Sequence, residues 1–303
     1  MTDAGRLALG TAQWGLDYGV ANRTGRATSD AVAAMLAAAR EAGVATLDTA
    51  RAYGGAEAVV GALSDSRWRI VTKLAPDVAG PDRTPAEARE HAEASLDASR
   101  AALRRDQLDA VLLHRAEHRR ASGGAAWDVL RSAREEGRIG AIGISVVRVE
   151  DAPEAIDDPD VEIVQVPASL LDRRLASAGL FDPARQHTEV FVRSVFLQGV
   201  AHLPSDSLPW HLRSLGPVLG DLDRLAAEVD ATRADLFLAW ARVRLHDARV
   251  VIGCETAAQL ETNLDSWRRI EFDELVPAAE ELVPELPDEL LDPWRWEGRP
   301  PIA

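Results

Sequence analysis

Asp48, Tyr53, Lys73 and His114 are residue types that can move a proton together. Each stands at or just past the end of a short apolar run. Run 45–48 ends in Asp48 and continues as Thr49-Ala50-Arg51-Ala52-Tyr53-Gly54; run 70–73 ends in Lys73; run 108–114 ends in His114. The set suits the reduction of a carbonyl. As hydride adds to carbon, charge builds on oxygen and a proton must be delivered there. A free tyrosine, with a pKa of about 10, is a reluctant acid at neutral pH. A nearby ammonium stabilises the phenolate and lowers that pKa. A carboxylate keeps the lysine charged and aimed, partly offsetting this effect, and a histidine can hold the carbonyl oxygen by a hydrogen bond. Taken singly, Asp48 reads as a cap, Tyr53 as a core-edge residue, His114 as a rim histidine and Lys73 as a solvated charge. The four at successive run ends read as a site. Among 34 basic residues Lys73 is the one lysine. An arginine there would bring a wide fork instead of one compact donor.

Such residues need elements that bring run ends together. The apolar runs are 7–10, 45–48, 70–73, 108–114, 139–145, 161–166, 190–195 and 250–252. They are rich in Val, Ile and Leu without clean alternation, as expected of strands buried on both faces. Helical patterns separate them. The segment 30–42 places Val32, Met35, Leu36 and Ala39 on one face and stops at Gly43. Thr84-Pro85-Ala86-Glu87 is a capping box opening a helix to about residue 104. Helices are also expected over 124–136, after Thr232, and from a capping box at Thr256–Gln259 to about Trp267. Strand–helix alternation over 303 residues predicts a (β/α)8 TIM barrel, a single domain over 1–303, with an irregular tail from Phe272 that ends near Trp294 and Trp296. A doubly wound sheet is the alternative. No Gly-x-Gly-x-x-Gly follows the first run, which counts against it.

Composition excludes other classes. The net charge of −15 leaves no general basic face for nucleic acid or anionic membrane. No apolar run approaches the ~18 residues of a membrane span, and residues 1–10 lack the pattern of a signal peptide. With one cysteine, Cys254, the chain forms no internal disulfide and no multi-cysteine zinc site. A cytoplasmic enzyme acting on a small molecule is expected.

Over nearly its full length the chain resembles the aldo-keto reductase family. Leu9-Gly10-Thr11-Ala12-Gln13-Trp14-Gly15 is similar to the family's first strand and loop. Leu47-Asp48-Thr49-Ala50, Tyr53-Gly54, Glu57 and Gly61 resemble its most recognisable motif; Thr72-Lys73, Leu113-His114 and a segment from Gly137-Arg138-Ile139 to Ser145 follow in order. The resemblance implies Tyr53 as proton donor, Asp48 and Lys73 tuning it, and His114 orienting the substrate. It implies a nicotinamide cofactor extended across the barrel rim, near Gly10, Thr11, Ala12, Asp48 and Ser145. Gln165 would hold its carboxamide. Arg193, Ser194, Phe196, Leu197 and Gly199 fall in the covering loop after strand seven, and Gly253, Cys254, Glu255, Gln259 and Asn263 at the adenosine half. Trp14, Tyr18 and Arg115 are expected at the substrate mouth. Cys254 reads as a packed residue, not a nucleophile.

The chain also departs from the family. Arg193 stands where an aromatic residue usually stacks on nicotinamide, and Ala168-Ser169 replaces a common Tyr-Asn. Few residues precede strand one, leaving little room for the hairpin that plugs the barrel bottom. Most members favour NADPH and bind its 2′-phosphate with basic side chains after strand eight. Here Gly253-Cys254-Glu255-Thr256-Ala257-Ala258-Gln259 contains none, so NADP(H) is expected with weak discrimination and NAD(H) is the alternative. Two other functions could use the same residues: a cofactor-sensing regulatory subunit with little turnover, or a sugar epimerase or lyase working without net cofactor oxidation.

Overall fold

Runs of Val, Ile and Leu that shield both faces of a strand from water require helices outside and other strands inside. The chain meets both needs by closing on itself. The computed structural model describes residues 3–182 and 188–296. Its strands are β1 (Leu7–Gly10), β2 (Thr46–Asp48), β3 (Arg69–Lys73), β4 (Leu108–Leu113), β5 (Ile139–Ser145), β6 (Ile163–Pro167), β7 (Glu189–Arg193) and β8 (Arg249–Gly253). All pair in parallel in chain order, and β8 returns to β1 to close the (β/α)8 barrel. Every expected run becomes a strand, with ends shifted by two residues at most.

The first helices are α1 (Ala12–Gly15), α2 (Ser29–Glu41), α3 (Ala56–Leu63), α4 (Pro85–Leu103), α5 (Ala125–Glu135), α6 (Ala152–Asp157) and α7 (Arg174–Ser177). Then come α8 (Gly216–Ala227), α9 (Arg233–Arg244), α10 (Ala257–Arg268), α11 (Val276–Glu281) and α12 (Asp288–Leu291). Threonines cap α2, α4, α9 and α10. Thr84 forms the full capping box with Glu87, and Thr232 forms one with Asp235; such caps are worth about 1 kcal/mol each. Thr256 accepts from the Gln259 N–H as expected, but the Gln259 side chain reaches the Glu255 N–H instead of Thr256, so the box there is only half formed.

The tail differs from the expectation. Instead of irregular chain it holds two 3-10 turns, Ile270–Leu275 and Pro293–Arg295, and the short helices α11 and α12. Its apolar residues are spaced to bury Phe272, Val276, Ala279, Leu290, Leu291 and Trp296, and that burial stabilises turns too short to persist alone. Residues 297–303 of the tail lie outside the described residues.

Inside the barrel, side chains two apart on a strand share a face. In β3 these are Arg69, Val71 and Lys73; in β7 they are Glu189, Phe191 and Arg193. The middle layer is apolar: Val71, Phe191, Leu112, Ile163 and Val251 pack with Ala8, Ala110 and Ala141. The lower layer is charged. Arg69 reaches Glu189 through two hydrogen bonds of 2.7 and 2.5 Å, and Arg249 donates to the same carboxylate and to the Gly5 carbonyl. This cluster links β3, β7 and β8 across the barrel floor, beside the short N-terminal turn Asp3–Arg6. The upper layer carries Lys73 and Arg193, where the site lies. Among the described residues no helix is long and apolar enough to cross a membrane, and no cluster of His, Cys, Asp and Glu could hold a metal ion.

Burial works against the charge of Glu189, but hydrogen bonds from Arg69 and Arg249 outweigh it and hold the carboxyl below its ordinary range. A folded-state pKa lowered in this way contributes stability above the unfolded value of about 4.3, and that contribution is lost as pH falls through the lower folded value. Glu189→Ala should therefore lower stability at neutral pH by about 2 kcal/mol, less than the ~3–5 kcal/mol of a fully buried pair because these groups keep some solvent. The deficit, read by urea unfolding, should shrink below about pH 4. An unchanged deficit in acid would rule out the ion cluster as its cause.

Candidate active site

Lys73 ends β3 with its ammonium fully buried. Nζ donates to Asp48 Oδ1 at 2.7 Å and to the Thr49 carbonyl at 3.0 Å. Burial lowers the Lys73 pKa, and the charge of Asp48 opposes that shift. Gln165, at the same height in β6, donates from Nε2 to the same Asp48 oxygen at 2.7 Å. One carboxylate oxygen thus joins β2, β3 and β6. Nζ lies 5.4 Å from the centre of the Tyr53 ring. The His114 ring stands edge-on to Tyr53, with centroids 6.4 Å apart and planes at 83°. Burial, reinforced by the charges of Lys73 and Arg193, pushes the His114 pKa down to about 3. The imidazole is therefore neutral over the physiological range. Its buried Nδ1 has no hydrogen-bond partner, which favours the proton on Nε2.

Tyr53 is held by backbone, not by a helix or strand of its own. After Asp48 the chain keeps running along β3: Thr49 N–H donates to the Val71 carbonyl and Arg51 N–H to the Lys73 carbonyl. Buried Glu57 accepts from Arg51 at 2.5 Å and from the Thr72 hydroxyl at 2.6 Å, tying the loop back to β3. On the other side α1 presses on the turn through two glycines. A Cβ at Gly15 would stand 1.8 Å from the Tyr53 carbonyl oxygen. Gly54 has φ +56°, and a Cβ there would stand 2.6 Å from the Gly15 carbonyl oxygen.

Tyr53 stands in the wall shared by two cavities. One, of about 530 Å³, runs from Asp48, Tyr53 and Arg193 past Gly10, Thr11, Ala12, Ser194, Phe196 and Gly199 to Gly253, Glu255, Gln259 and Asn263. The other, of about 520 Å³, is lined by Tyr18, Tyr53, His114, Arg115 and Ser145, with a wall from the tail that includes Trp294 and Trp296. Tyr18, Tyr53, Arg193 and Gln198 line both. Lys73 and Gln165, buried and bonded to Asp48, line neither cavity, and three more expected site residues lie elsewhere. Trp14 is buried, because its face of α1 turns into the core and not toward the mouth. Leu197 packs into the hydrophobic core, and Cys254 is buried behind Asn263, with its thiol pushed up to about 12 by burial. None of the three lines either cavity. Ser145 faces the second cavity, beside Gln165 in register.

Sequence reasoning missed the clasp over the first cavity. Asn22 folds the loop after β1 by donating to the Tyr18 and Gly25 carbonyls and accepting from the Thr24 and Gly25 N–H groups. Val20 N–H then bonds the Gln198 carbonyl across the cleft, and Thr24 donates to Glu255. The loop brings Arg23 to the Glu255 end of the cavity. The turn residues Gly19, Asn22 and Gly25 were a visible sign of a shaped loop, though not of its direction.

The first cavity fits a nicotinamide dinucleotide. Gln165 Oε1 is buried without a hydrogen-bond partner, as an acceptor reserved for a carboxamide N–H would be. The cavity begins at Asp48, to which Gln165 donates, and extends to Gln259 and Asn263 at the N-terminal half of α10, where anions are favoured. A closed parallel barrel with these four side chains at the carboxyl ends of its strands is an arrangement that can support the reduction of a carbonyl. The chain belongs to the aldo/keto reductase family, whose model matches residues 6–279. Among solved structures it is similar to the holo form of the aldo-keto reductase AKR11C1 from Bacillus halodurans, at 19% identity and TM-score 0.68, with 93% of each chain covered. It is also similar to the glycerol dehydrogenase AKR11B4 from Gluconobacter oxydans, at 19% identity and TM-score 0.67 over 93% of each chain. An aldo/keto reductase from Brucella melitensis matches at 20% identity and TM-score 0.62, over 91% of this chain and 93% of that one. These likenesses show the fold. No curated protein matches the chain.

The glycine contact gives a paired test. Gly15→Ala should leave the far-UV circular dichroism unchanged and lower turnover of a reactive aldehyde at least ~10-fold, since displacing a catalytic group by about 1 Å can cost ~100-fold. Gly55→Ala, where an added Cβ meets nothing within 4 Å, should change neither. Equal activity in the two variants would show that the α1 contact does not set the position of Tyr53.

Proposed function

We propose that this protein reduces an aldehyde or ketone to an alcohol, with Tyr53 as the proton donor. The observation that carries the reading is the position of Tyr53 in the wall shared by the two cavities, over a buried ammonium and beside a neutral imidazole. The bound reduced nicotinamide would supply the hydride, and with it the two electrons taken up by the carbonyl carbon. Tyr53 gives its phenolic proton to the carbonyl oxygen and regains one from solvent. Lys73 stabilises the phenolate between those events. Asp48 keeps Lys73 charged and positions Gln165. His114 donates a hydrogen bond from Nε2 to the substrate oxygen and fixes its direction. On this reading the chain works as one domain over 1–303 in a reduced cytoplasmic compartment.

Tyr53→Phe removes one hydroxyl. It should leave nicotinamide nucleotide binding, followed by tryptophan fluorescence, nearly intact. It should also lower kcat by about 10²–10⁴-fold, the usual worth of a positioned proton donor. A variant with half the parent kcat would remove Tyr53 from the role.

For the cofactor, NADP(H) is the family expectation, and Arg23 and Glu255 at the far end of the first cavity pull in opposite directions. The guanidinium favours a 2′-phosphate and the carboxylate repels one while accepting from a ribose hydroxyl. We expect the ratio of kcat/KM for NADPH over NADH to stay under ~30, less than about 2 kcal/mol. Arg23→Ala should move it toward NADH and Glu255→Arg toward NADPH. A parent preference for NADPH above ~1000-fold, about 4 kcal/mol, would defeat this balance.

A further inference from the structure

Arg193 is the one charge in the upper barrel that the proton-transfer set does not use. It ends β7 in the layer of Lys73, is half-buried, and lines both cavities. Its guanidinium donates to the Val146 carbonyl at 2.9 Å and to the Ser194 hydroxyl at 3.2 Å. Both acceptors are neutral. Among the described residues no carboxylate lies within 4.0 Å of it. A guanidinium has five N–H donors, so these two bonds leave others for a ligand. The charges around it do not cancel it. Lys73 and Asp48 neutralise each other, and His114 is neutral. Its field reaches both basic neighbours, since it helps to lower the pKa values of His114 and Lys73.

The second cavity holds two more guanidinium groups. Arg115 and Arg148 line it with Arg193, but Arg148 is paired with Glu150 at 2.6 Å and Arg115 stands 3.9 Å from Glu117. The acids there are Glu117 and Asp292, and Asp292 is already held by Arg174 at 2.8 Å and Arg295 at 3.2 Å. In a chain with a net charge of −15, Arg193 is thus the charge among the described residues of this lining that no carboxylate offsets. Such a local field concentrates anions. Trp294 and Trp296 add apolar surface to the same lining.

We infer that the substrate of this site is an anionic carbonyl compound, with a carboxylate or phosphate close to the reacting carbonyl, and that Arg193 selects it by pairing with that anion. This rests on the reading of the site as a carbonyl reductase. The planar fork of arginine matches either anion by two parallel hydrogen bonds, where a lysine would offer a point charge. At the boundary of the cavities, such a pair would also turn the carbonyl toward Tyr53.

The test compares substrates that differ in one charge, using the full chain with saturating cofactor. Phenylglyoxylate is paired with its methyl ester, and glyceraldehyde 3-phosphate with glyceraldehyde. Within each pair the ratio of kcat/KM, anionic over neutral, cancels any damage to cofactor binding or proton transfer. Arg193→Met should lower that ratio at least 10-fold in one pair, and the pair affected tells carboxylate from phosphate. Arg193→Lys should restore part of it. A ratio that changes less than twofold in both pairs overturns the inference while leaving the carbonyl reductase reading intact. If Arg193→Met does not fold, Arg193→Lys and the parent decide: added salt should depress the anionic member selectively, and equal salt response overturns the inference. If the parent reduces none of the four compounds, the reductase reading fails separately. Fluorescence titration with phenylglyoxylate and its ester then decides the anion claim: tighter anion binding supports it, and equal binding overturns it.

Discussion

The buried pair of Lys73 and Asp48 is the constraint around which the upper barrel is arranged. An ammonium and a carboxylate taken out of water each lose several kcal/mol of hydration, and removing either partner would leave an uncompensated charge costing about 3–5 kcal/mol. The pair is supported by two further hydrogen bonds, to the Thr49 carbonyl and from the Gln165 amide. Those partners come from the loop after β2 and from β6. Satisfying one ion pair therefore fixes where the Tyr53 loop leaves the barrel and how Gln165 is turned. The buried Gln165 oxygen without a partner is the by-product of that turn.

Much of this was legible in the sequence because parallel strands carry dense apolar runs, and a polar residue ending such a run has few structural reasons to be there. Asp48, Lys73 and His114 stood out for that reason. The layering inside the barrel was less visible. Arg69-Val71-Lys73 and Glu189-Phe191-Arg193 do alternate, but their neighbours Ile70, Thr72, Val190 and Val192 are buried against helices, which hides the period. Trp14 was misplaced because a four-residue helix shows no periodicity from which to read its inward face. The clasp over the first cavity depends on one loop meeting another, Val20 to Gln198, at a separation in sequence that no local pattern encodes. The tail helices draw their order from burial against the rest of the molecule, so their own propensities understated them.

The loop after β7 shows how the site is finished at the expense of local comfort. Ser194, Leu197 and Gln198 all have positive φ without being glycine, at 62°, 42° and 56°. Such conformations cost about 1 kcal/mol or more each and persist where surrounding contacts over-determine them. Here the contacts are the Leu197 side chain in the core and the Val20–Gln198 bond. The same backbone path keeps Ser194 within reach of Arg193 and brings Gln198 to both cavities.

The single, buried lysine has a consequence at the opposite scale, for the electrostatics of the whole surface. Every outward-facing basic side chain that titrates above neutrality is a guanidinium, which holds its proton to about pH 12 or beyond. The described ion pairs outside the site join arginine to carboxylate, as in Arg174 with Asp172, Asp288 and Asp292. None of these contacts contains an amine that alkali could discharge. With two tyrosines and one cysteine in the chain, few other groups remain to change charge above neutrality. The colloidal charge of the protein is thus nearly constant across the alkaline range, and its surface network should resist alkali that would dismantle a lysine-based one.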